Sequence, residues 1–255
     1  MISIYASELA ACIGMNKYRP VQDVAKKVWS RVDPISYKKA LERNEIHEPV
    51  PIQDVLQELK LTERVTSVIG QNNSIAMQTT LRSFLLDHMD EFDSKDVTVE
   101  DVTSFVFTER GKNSEEDSLD RVQTRSKIVV RERNAKFYKR YIEYNEGESK
   151  FMLGGKVDGI TEDGCLVEVK NRQYKFFPSI PVYENVQIHA YMFLTEIKSC
   201  KFVQSFNGED REEMVTFDEE FWKKTIDKCT EFVVSLDKLL VDDAIQDQLL
   251  SLGVF

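Results

Sequence analysis

The sequence predicts an α/β fold, and three observations carry that expectation. Two apolar runs, Phe151 to Ile160 and Cys165 to Asn171, read as strands joined by Thr161-Glu162-Asp163-Gly164, a hairpin-turn signal. Helical patterns stand on both sides of that hairpin: Ala6 to Ile13 before it, Pro181 to Thr195 and the amphipathic stretch Asp218 to Leu240 after it. A mostly helical, acidic segment, Pro34 to about Thr108, separates the first helices from the rest.

In chain order, Ala6 to Ile13 is a short helix with Ser7 near its start and Gly14 as its stop. Pro20 to about Val32 is a second helix. The segment that follows is interrupted at Pro49-Val50-Pro51 and at Gly70-Gln71-Asn72-Asn73, and carries no repeat or low-complexity tract. Gly111 to about Thr124 reads as one helix. Lys127 to Arg133 and Lys136 to Glu143 fit either strands or a continued helix. After the hairpin, Pro181 to Thr195 is a helix with proline in its first turn. Lys201 to Phe206 and Glu213 to Phe217 are strands around an Asn207-Gly208 turn. Asp218 to Leu240 presents Phe221, Trp222, Ile226, Cys229, Phe232, Val233 and Leu236 at helical spacing, which is a core-facing stripe. Val241 to Leu252 adds a last helix.

At 255 residues, 42% hydrophobic and 31% charged, the chain has the balance of a globular protein with a sizeable core. The four cysteines form no CxxC pair, so a zinc or iron–sulfur centre is not expected, and reduced thiols in an intracellular, cytoplasmic setting are. The start, MISIYASELAACIGM, lacks the basic opening and apolar run of a signal peptide, and no stretch has the length of a membrane helix, so no membrane role is expected.

The net charge is −10, but its distribution is uneven. Asp87 to Asp101 holds seven acids against Lys95, and reads as plain surface. Arg121 to Arg140 holds eight bases against Glu132. That basic run is either a solvated helix face or a surface that contacts phosphate through residues such as Arg125, Arg131 and Arg133.

The chemistry concentrates in GGKVDGITEDGCLVEVKNR, Gly154 to Arg172. Side chains alternate along a strand, so Glu168 and Lys170 share one face while Val167 and Val169 share the other. The turn folds the strand ending near Asp158 back alongside, so three charged groups can converge at one edge. Two close carboxylates resist ionising together unless a cation joins them. Oxygen donors of this kind suit Mg²⁺ or Mn²⁺, and a neighbouring lysine can orient a water or stabilise charge on a phosphate in transit. The alternative is a surface hairpin with an incidental Glu–Lys pair.

With its surroundings, this arrangement resembles the PD-(D/E)xK nuclease superfamily, and in particular its lambda-exonuclease and YqaJ branch. Four blocks carry the resemblance in order: IYASELAACIG (Ile4 to Gly14), RGKNSEED (Arg110 to Asp117), VDG with EVK, and QIHAYMFLT (Gln187 to Thr195). The resemblance implies a restriction-endonuclease-like α/β core, a central mixed sheet flanked by helices, here with a helical insertion. It implies a single nuclease domain over 1–255, with the insertion at 34–108, the catalytic core at 109–217 and C-terminal helices at 218–255. It implies Mg²⁺-dependent hydrolysis of DNA phosphodiesters at duplex ends in recombination or repair, typical of phages, other viruses and bacteria. Asp158 and Glu168 would hold metal, with the Val169 carbonyl as a further ligand, and Glu115 would hold or approach a second metal through water. Lys170, steered by Gln187, would position the attacking water, and Ser7 would meet a DNA phosphate. A homo-trimeric ring and a single-strand-annealing partner protein are also implied.

Glu116 and Asp117 follow Glu115, but helical neighbours differ by about 100° in direction, so only one can face Asp158, and Glu115 fits the family's spacing from Gly111. Lys156 and Arg172 fit either a phosphate contact or ordinary surface, and Glu184 fits a supporting role behind Gln187. The family's second glutamine is His189 here, read as a hydrogen-bonded histidine on a half-buried helix. The segment between Ser7 and Glu115 is about twice the length the resemblance implies. Lambda-type enzymes grip a 5′-phosphate with an arginine placed before the first block. No such segment is expected here, and Lys17 and Arg19 are read as its substitutes beside Ser7. Gln187 with Tyr191 equally fits the QxxxY helix of RecB-like or CRISPR-adaptation nucleases, and a catalytically silent DNA-end binder is a third reading.

Overall fold

A computed structural model describes residues 1–48, 50–71, 73–95 and 97–255, and its architecture turns on one strand path that changes sheets. Strand β1 (Ser3–Tyr5) runs parallel to β4 (Ser149–Lys156), and β3 (Phe137–Tyr144) runs antiparallel to β4 on its other side. The chain leaves β4, passes Val157-Asp158 and enters β5 (Gly159–Thr161) in a second sheet. That sheet has the order β2 (Val130–Arg131), β5, β6 (Leu166–Asn171), β7 (Ser199–Phe206) and β8 (Glu209–Thr216). Only β6 and β7 pair in parallel within it, so both sheets are mixed.

The helices follow from local chemistry. Helix α1 (Ala6–Cys12) stops where Gly14 takes φ +68°, a left-handed conformation that glycine adopts without a Cβ clash. Next come α2 (Val21–Val32) and α3 (Pro34–Arg43), the latter capped by Asp33, whose carboxylate accepts the Ser36 amide. Helices α4 (Ile52–Glu58), α5 (Thr62–Ile69), α6 (Ser74–Asp93) and α7 (Val99–Asn113) build a hydrophobic cluster of their own around Met77, Leu81, Phe84, Phe92 and Val102. Helix α3 instead packs on α2 and on the C-terminal helix α11 (Asp243–Leu252).

The expected single helix over Gly111 to Thr124 is two. Helix α7 continues through Gly111 and ends at Ser114, whose amide is taken by the Arg110 and Gly111 carbonyls. Helix α8 (Glu115–Ser126) then starts afresh. Three acids, Glu115, Glu116 and Asp117, occupy its first turn, where free amides and the helix dipole favour negative charge. The segment left open between Lys127 and Glu143 forms strands: Lys127 turns left-handed at φ +57° and ends α8, and β2 and β3 follow.

Helix α9 (Val182–Thr195) is buried on almost every side. It lies between β4 and β7 on one side and α1 and α10 (Glu219–Val241) on the other. Asp218 caps α10 by accepting the Glu220 and Phe221 amides. The stripe Trp222, Cys229, Phe232, Val233 and Leu236 joins the main core, while Phe221 and Ile226 pack at its margin. On the opposite face of the second sheet, Leu119 and Val122 of α8 close over Val167, Val169, Val130 and Val203. The strand bearing Glu168 and Lys170 is thus the middle of a sheet covered by helices on both faces. No helix among the described residues is long and apolar enough to cross a membrane.

Candidate active site

The register of β5 and β6 pairs Gly159 with Val167, so the next position places Asp158 across from Glu168. Asp158 lies where the chain bends from one sheet into the other, and its Oδ2 accepts the Val169 amide at 2.8 Å. Both carboxylates are buried, Asp158 to 8% exposure and Glu168 to 2%. Val167 and Val169 fill the apolar layer under α8, which turns Glu168 and Lys170 to the α9 side.

Lys170 Nζ donates to Glu168 Oε1 at 2.6 Å and to Gln187 Oε1 at 3.2 Å. Gln187 in turn donates from Nε2 to the Tyr191 hydroxyl at 2.9 Å, one turn on along α9. That bond fixes the amide so that its oxygen, not its nitrogen, faces the ammonium. Two of the three Lys170 donors are thus committed, and one is left for a water or a phosphate oxygen.

The tight approach of Tyr191 depends on Gly155. A Cβ at that position would lie 2.8 Å from the Tyr191 ring and 3.1 Å from the Ala6 methyl. The two glycines that open the GGKVDG stretch are therefore close-approach positions.

Burial pushes the Asp158 carboxyl well above the usual carboxylate range; Lys170 opposes that shift and Glu115 adds to it. Burial and then the Asp158 charge push Glu168 higher still. Lys170 moves the other way from a lone buried amine: the two carboxylates outweigh its own desolvation and hold it firmly protonated. The cluster is short of positive charge. Glu168 Oε2 is buried and has no hydrogen-bond partner, which is the mark of an oxygen whose partner is a cation or a water. Among the described residues no three His, Cys, Asp or Glu side chains gather closely enough to enclose an ion unaided.

Glu115, the first residue of α8, reaches the rim of the cluster. Burial raises its pKa, the Asn134 hydrogen bond opposes this, and Glu168 adds to it. Asn134 ties the two sides together. Its backbone amide donates to the Asp158 carbonyl at 3.3 Å, and its side chain donates to Glu115 Oε2 at 2.9 Å. Sequence reasoning missed Asn134. The only signal was an asparagine suited to a left-handed turn, which it adopts at φ +46°. It also missed Asn171, beside Lys170, whose side chain donates to the Gly111 carbonyl and accepts from Ser118.

The other expected residues are dispersed. Arg172 is enclosed, with both terminal nitrogens on Glu184 at 2.6 and 2.7 Å, its Nε on Gln204 at 2.8 Å and its guanidinium over Phe177. Arg125 pairs with Asp210 and Glu212, Arg131 with Glu162, and Arg133 with Glu116 and Asp120. Lys156 is exposed at the end of β4. Ser7 is exposed on α1, and Arg19 is half-buried after it. His189 is hydrogen-bonded at both nitrogens: Nδ1 donates to the Asn185 carbonyl at 2.9 Å and Nε2 accepts the Asp218 amide at 3.1 Å. Burial lowers its pKa, so it is a neutral, structural link between α9 and α10.

No protein-family model matches the chain, and no curated protein matches it. Among solved structures the chain is similar to an alkaline exonuclease from Laribacter hongkongensis, at 14% identity over 74% of this chain and 92% of that one, with a TM-score of 0.41. That exonuclease has also been solved in complex with dAMP. The chain is similar as well to a phage related exonuclease from Haemophilus somnus 129PT, at 13% identity over 99% of this chain and 97% of that one, TM-score 0.43. A third similar structure, SSO0001, shares 10% identity over 93% of this chain and 77% of that one, TM-score 0.45.

Proposed function

We propose that the chain is a metal-dependent nuclease that hydrolyses DNA phosphodiesters at duplex ends, with a restriction-endonuclease-like core. The observation that carries this reading is the orphaned, buried Glu168 Oε2 beside Asp158, with Lys170 held against them by Glu168 and Gln187. The donor set fits a hard cation: two buried carboxylates with raised proton affinity and, among the described residues, no third side chain gathered closely enough to enclose an ion. Mg²⁺ is commonly held by one or two carboxylates and keeps several waters. Asp158 and Glu168 would hold it, with the Val169 carbonyl as a further donor, and Glu115 would hold or approach a second ion through water. When bound, Mg²⁺ or Mn²⁺ supplies Lewis-acid activation of a water and of the scissile phosphate.

The chain's own residues do the rest. The Val169 amide fixes the Asp158 carboxylate, so its second oxygen keeps one direction. Lys170 stays cationic between its partners and presents its remaining N–H to the attacking water or to a phosphate oxygen. Gln187, held by Tyr191, keeps that N–H aimed. Burial under α9 and α8 lowers the local dielectric, which strengthens each of these interactions.

The same proposal includes a helical insertion over 34–108, a core over 109–217 and C-terminal helices over 218–255. The separate hydrophobic cluster of α4 to α7 supports a distinct helical unit. Ser7 and Arg19 are proposed to meet the 5′-phosphate, and Lys156 a phosphate near the cluster. Arg125, Arg131, Arg133 and Arg172 would each have to exchange a carboxylate for a phosphate to serve in that way. An intracellular role in recombination or repair, a ring-shaped trimer and an annealing partner belong to the proposal too. A RecB-like nuclease is the second reading, favoured by the Gln187–Tyr191 hydrogen bond.

The test is digestion of a linear duplex against a closed circle with Mg²⁺, with EDTA as control. Cleavage of the linear form alone supports an end-dependent nuclease. Equal cutting of the circle would exclude end dependence, and activity that survives EDTA would exclude the metal.

A further inference from the structure

The three-stranded sheet β1-β4-β3 is covered on one face only. Ile4, Phe151, Leu153, Tyr138 and Ile142 point into the main core. The other face carries Tyr5, Lys150, Met152, Lys156, Phe137, Lys139 and Tyr141, and α2 reaches it at the β1 edge through Arg31. Phe137 is 44% exposed and Tyr141 50% exposed, both on the edge strand β3. The Phe137 ring lies over Gly154, where a Cβ would come within 2.6 Å of it, and meets Tyr5 edge-on at 6.1 Å. The Arg31 guanidinium stacks 4.3 Å from the centre of the Tyr5 ring. Lys150 lies 5.3 Å from the centre of the Tyr141 ring.

The charge on this face is mostly positive and free of ion pairs among the described residues. Lys139, Lys150 and Lys156 are exposed, and none forms an ion pair among the described residues. Glu143, at the far end of β3, is the single acid on the exposed side of the three strands. In a chain of net charge −10 this is a local reversal. The cluster is close to the end of this face along the chain, since β4 ends at Lys156 and Asp158 is two residues on.

We infer that this face is a platform for single-stranded nucleic acid, with bases stacking on Phe137 and Tyr141 and phosphates meeting Lys139, Lys150 and Lys156. Exposed aromatic rings with interleaved lysines suit a flexible strand whose base faces are open, because every base offers a π surface and every linkage a charge. A duplex keeps its base faces stacked inside and cannot use the rings. The two ring positions are four residues apart on β3, roughly 13 Å, so they serve different nucleotides. The purpose of the platform rests on the nuclease reading: it would hold the strand that enters or leaves the cluster. Its existence is tested apart from cleavage.

The experiment is fluorescence anisotropy of a labelled oligothymidylate of about 12 nucleotides, within the span of one such platform, in EDTA so that nothing is cut. Tyr141→Ala should weaken binding about tenfold, within the range for loss of one stacked base. Phe137→Ala should do the same, and Tyr141→Phe should retain wild-type affinity. Lys139→Gln, Lys150→Gln and Lys156→Gln combined should flatten the log–log salt slope by about two, at about 0.7 per phosphate contact on a single strand. Thermal melts check folding, and Tyr141 carries the test if Phe137→Ala does not fold. The inference falls if Tyr141→Ala and the lysine variant bind the oligonucleotide as wild type does. It falls equally if a matched duplex binds as tightly and is as sensitive to Tyr141→Ala. Binding to anionic vesicles in place of the oligonucleotide, or a dimer that Tyr141→Ala disperses, would also overturn it. Oligonucleotide binding with these losses, but no cutting of linear duplex with Mg²⁺, would sink the nuclease reading and leave the platform standing.

Discussion

Asp158 Oδ2 accepts the Val169 amide proton at 2.8 Å, so the carboxylate at the bend is locked to the strand that presents Glu168 and Lys170. An asparagine can keep that bond through its carbonyl oxygen while removing the charge. Asp158→Asn should therefore abolish metal-dependent cleavage yet raise the melting temperature of the metal-free protein at neutral pH. A gain of about 1 kcal/mol would appear as about 2–4 °C for a chain of this size. Melting in EDTA checks it, and a lower melting temperature would show that the carboxylate is better satisfied than its burial suggests.

The pH dependence follows from the same groups. Burial raises the folded-state pKa of both Asp158 and Glu168 above the unfolded values. Their contribution to stability is full below the unfolded pKa, about 4, and is lost as pH rises through the raised values. The metal-free protein should thus become less stable from weakly acidic into weakly alkaline solution. Mg²⁺ should reverse the trend by binding the ionised pair. Melting curves across that range, with EDTA and with Mg²⁺, are the measurement, and parallel curves would refute the linkage.

Lys170→Ala should lower cleavage by about 10²–10⁴-fold, the range for removal of a positioned proton-transfer or charge-stabilising group, while DNA binding changes little. Tyr191→Phe acts one step further out, by freeing Gln187 Nε2. It should lower kcat by about tenfold with KM nearly unchanged, as expected for loss of aim at the reacting centre. A change in KM alone would place Tyr191 in substrate binding.

Arg172 and Glu184 are both buried and joined by two hydrogen bonds. Removing one partner leaves an uncompensated buried charge, so Arg172→Ala should cost about 3–5 kcal/mol. Denaturant unfolding reads this directly. A loss of DNA binding with full stability would instead assign Arg172 to phosphate.

Ser7 is neutral, and a neutral contact lacks the charge-assisted, bidentate grip of an arginine. The preference for 5′-phosphorylated over 5′-hydroxyl ends should therefore be weak, and should fall further in Arg19→Ala. Initial rates on matched duplexes differing only in the 5′ group decide it. A strong preference that survives loss of both Ser7 and Arg19 would place the grip elsewhere, with the helical unit of α4 to α7 the first place to search.

The sequence by itself determined the local part of the site. Alternation along β6 put Glu168 and Lys170 on one face, the hairpin turn brought Asp158 back beside them, and helical spacing aligned Gln187 with Tyr191. These are relations over a few residues, and strand and helix periods set them. Helix α10 was legible for the same reason, because its apolar stripe repeats with the period of the helix it forms.

The tertiary structure alone decided the rest. It split the expected Gly111 helix at Ser114 and so set Glu115 at a helix start, where backbone amides favour its charge. It placed Asn134 between Asp158 and Glu115, and paired the arginines of the basic run with carboxylates such as Asp210 and Asp120, partners that a count of charges cannot assign. It also left most of one face of β1-β4-β3 open, because α1 and α9 pack on the other. Whether an aromatic or a lysine lies in a core, an ion pair or open solvent depends on contacts between segments far apart in the chain, and the period of a single segment does not contain them.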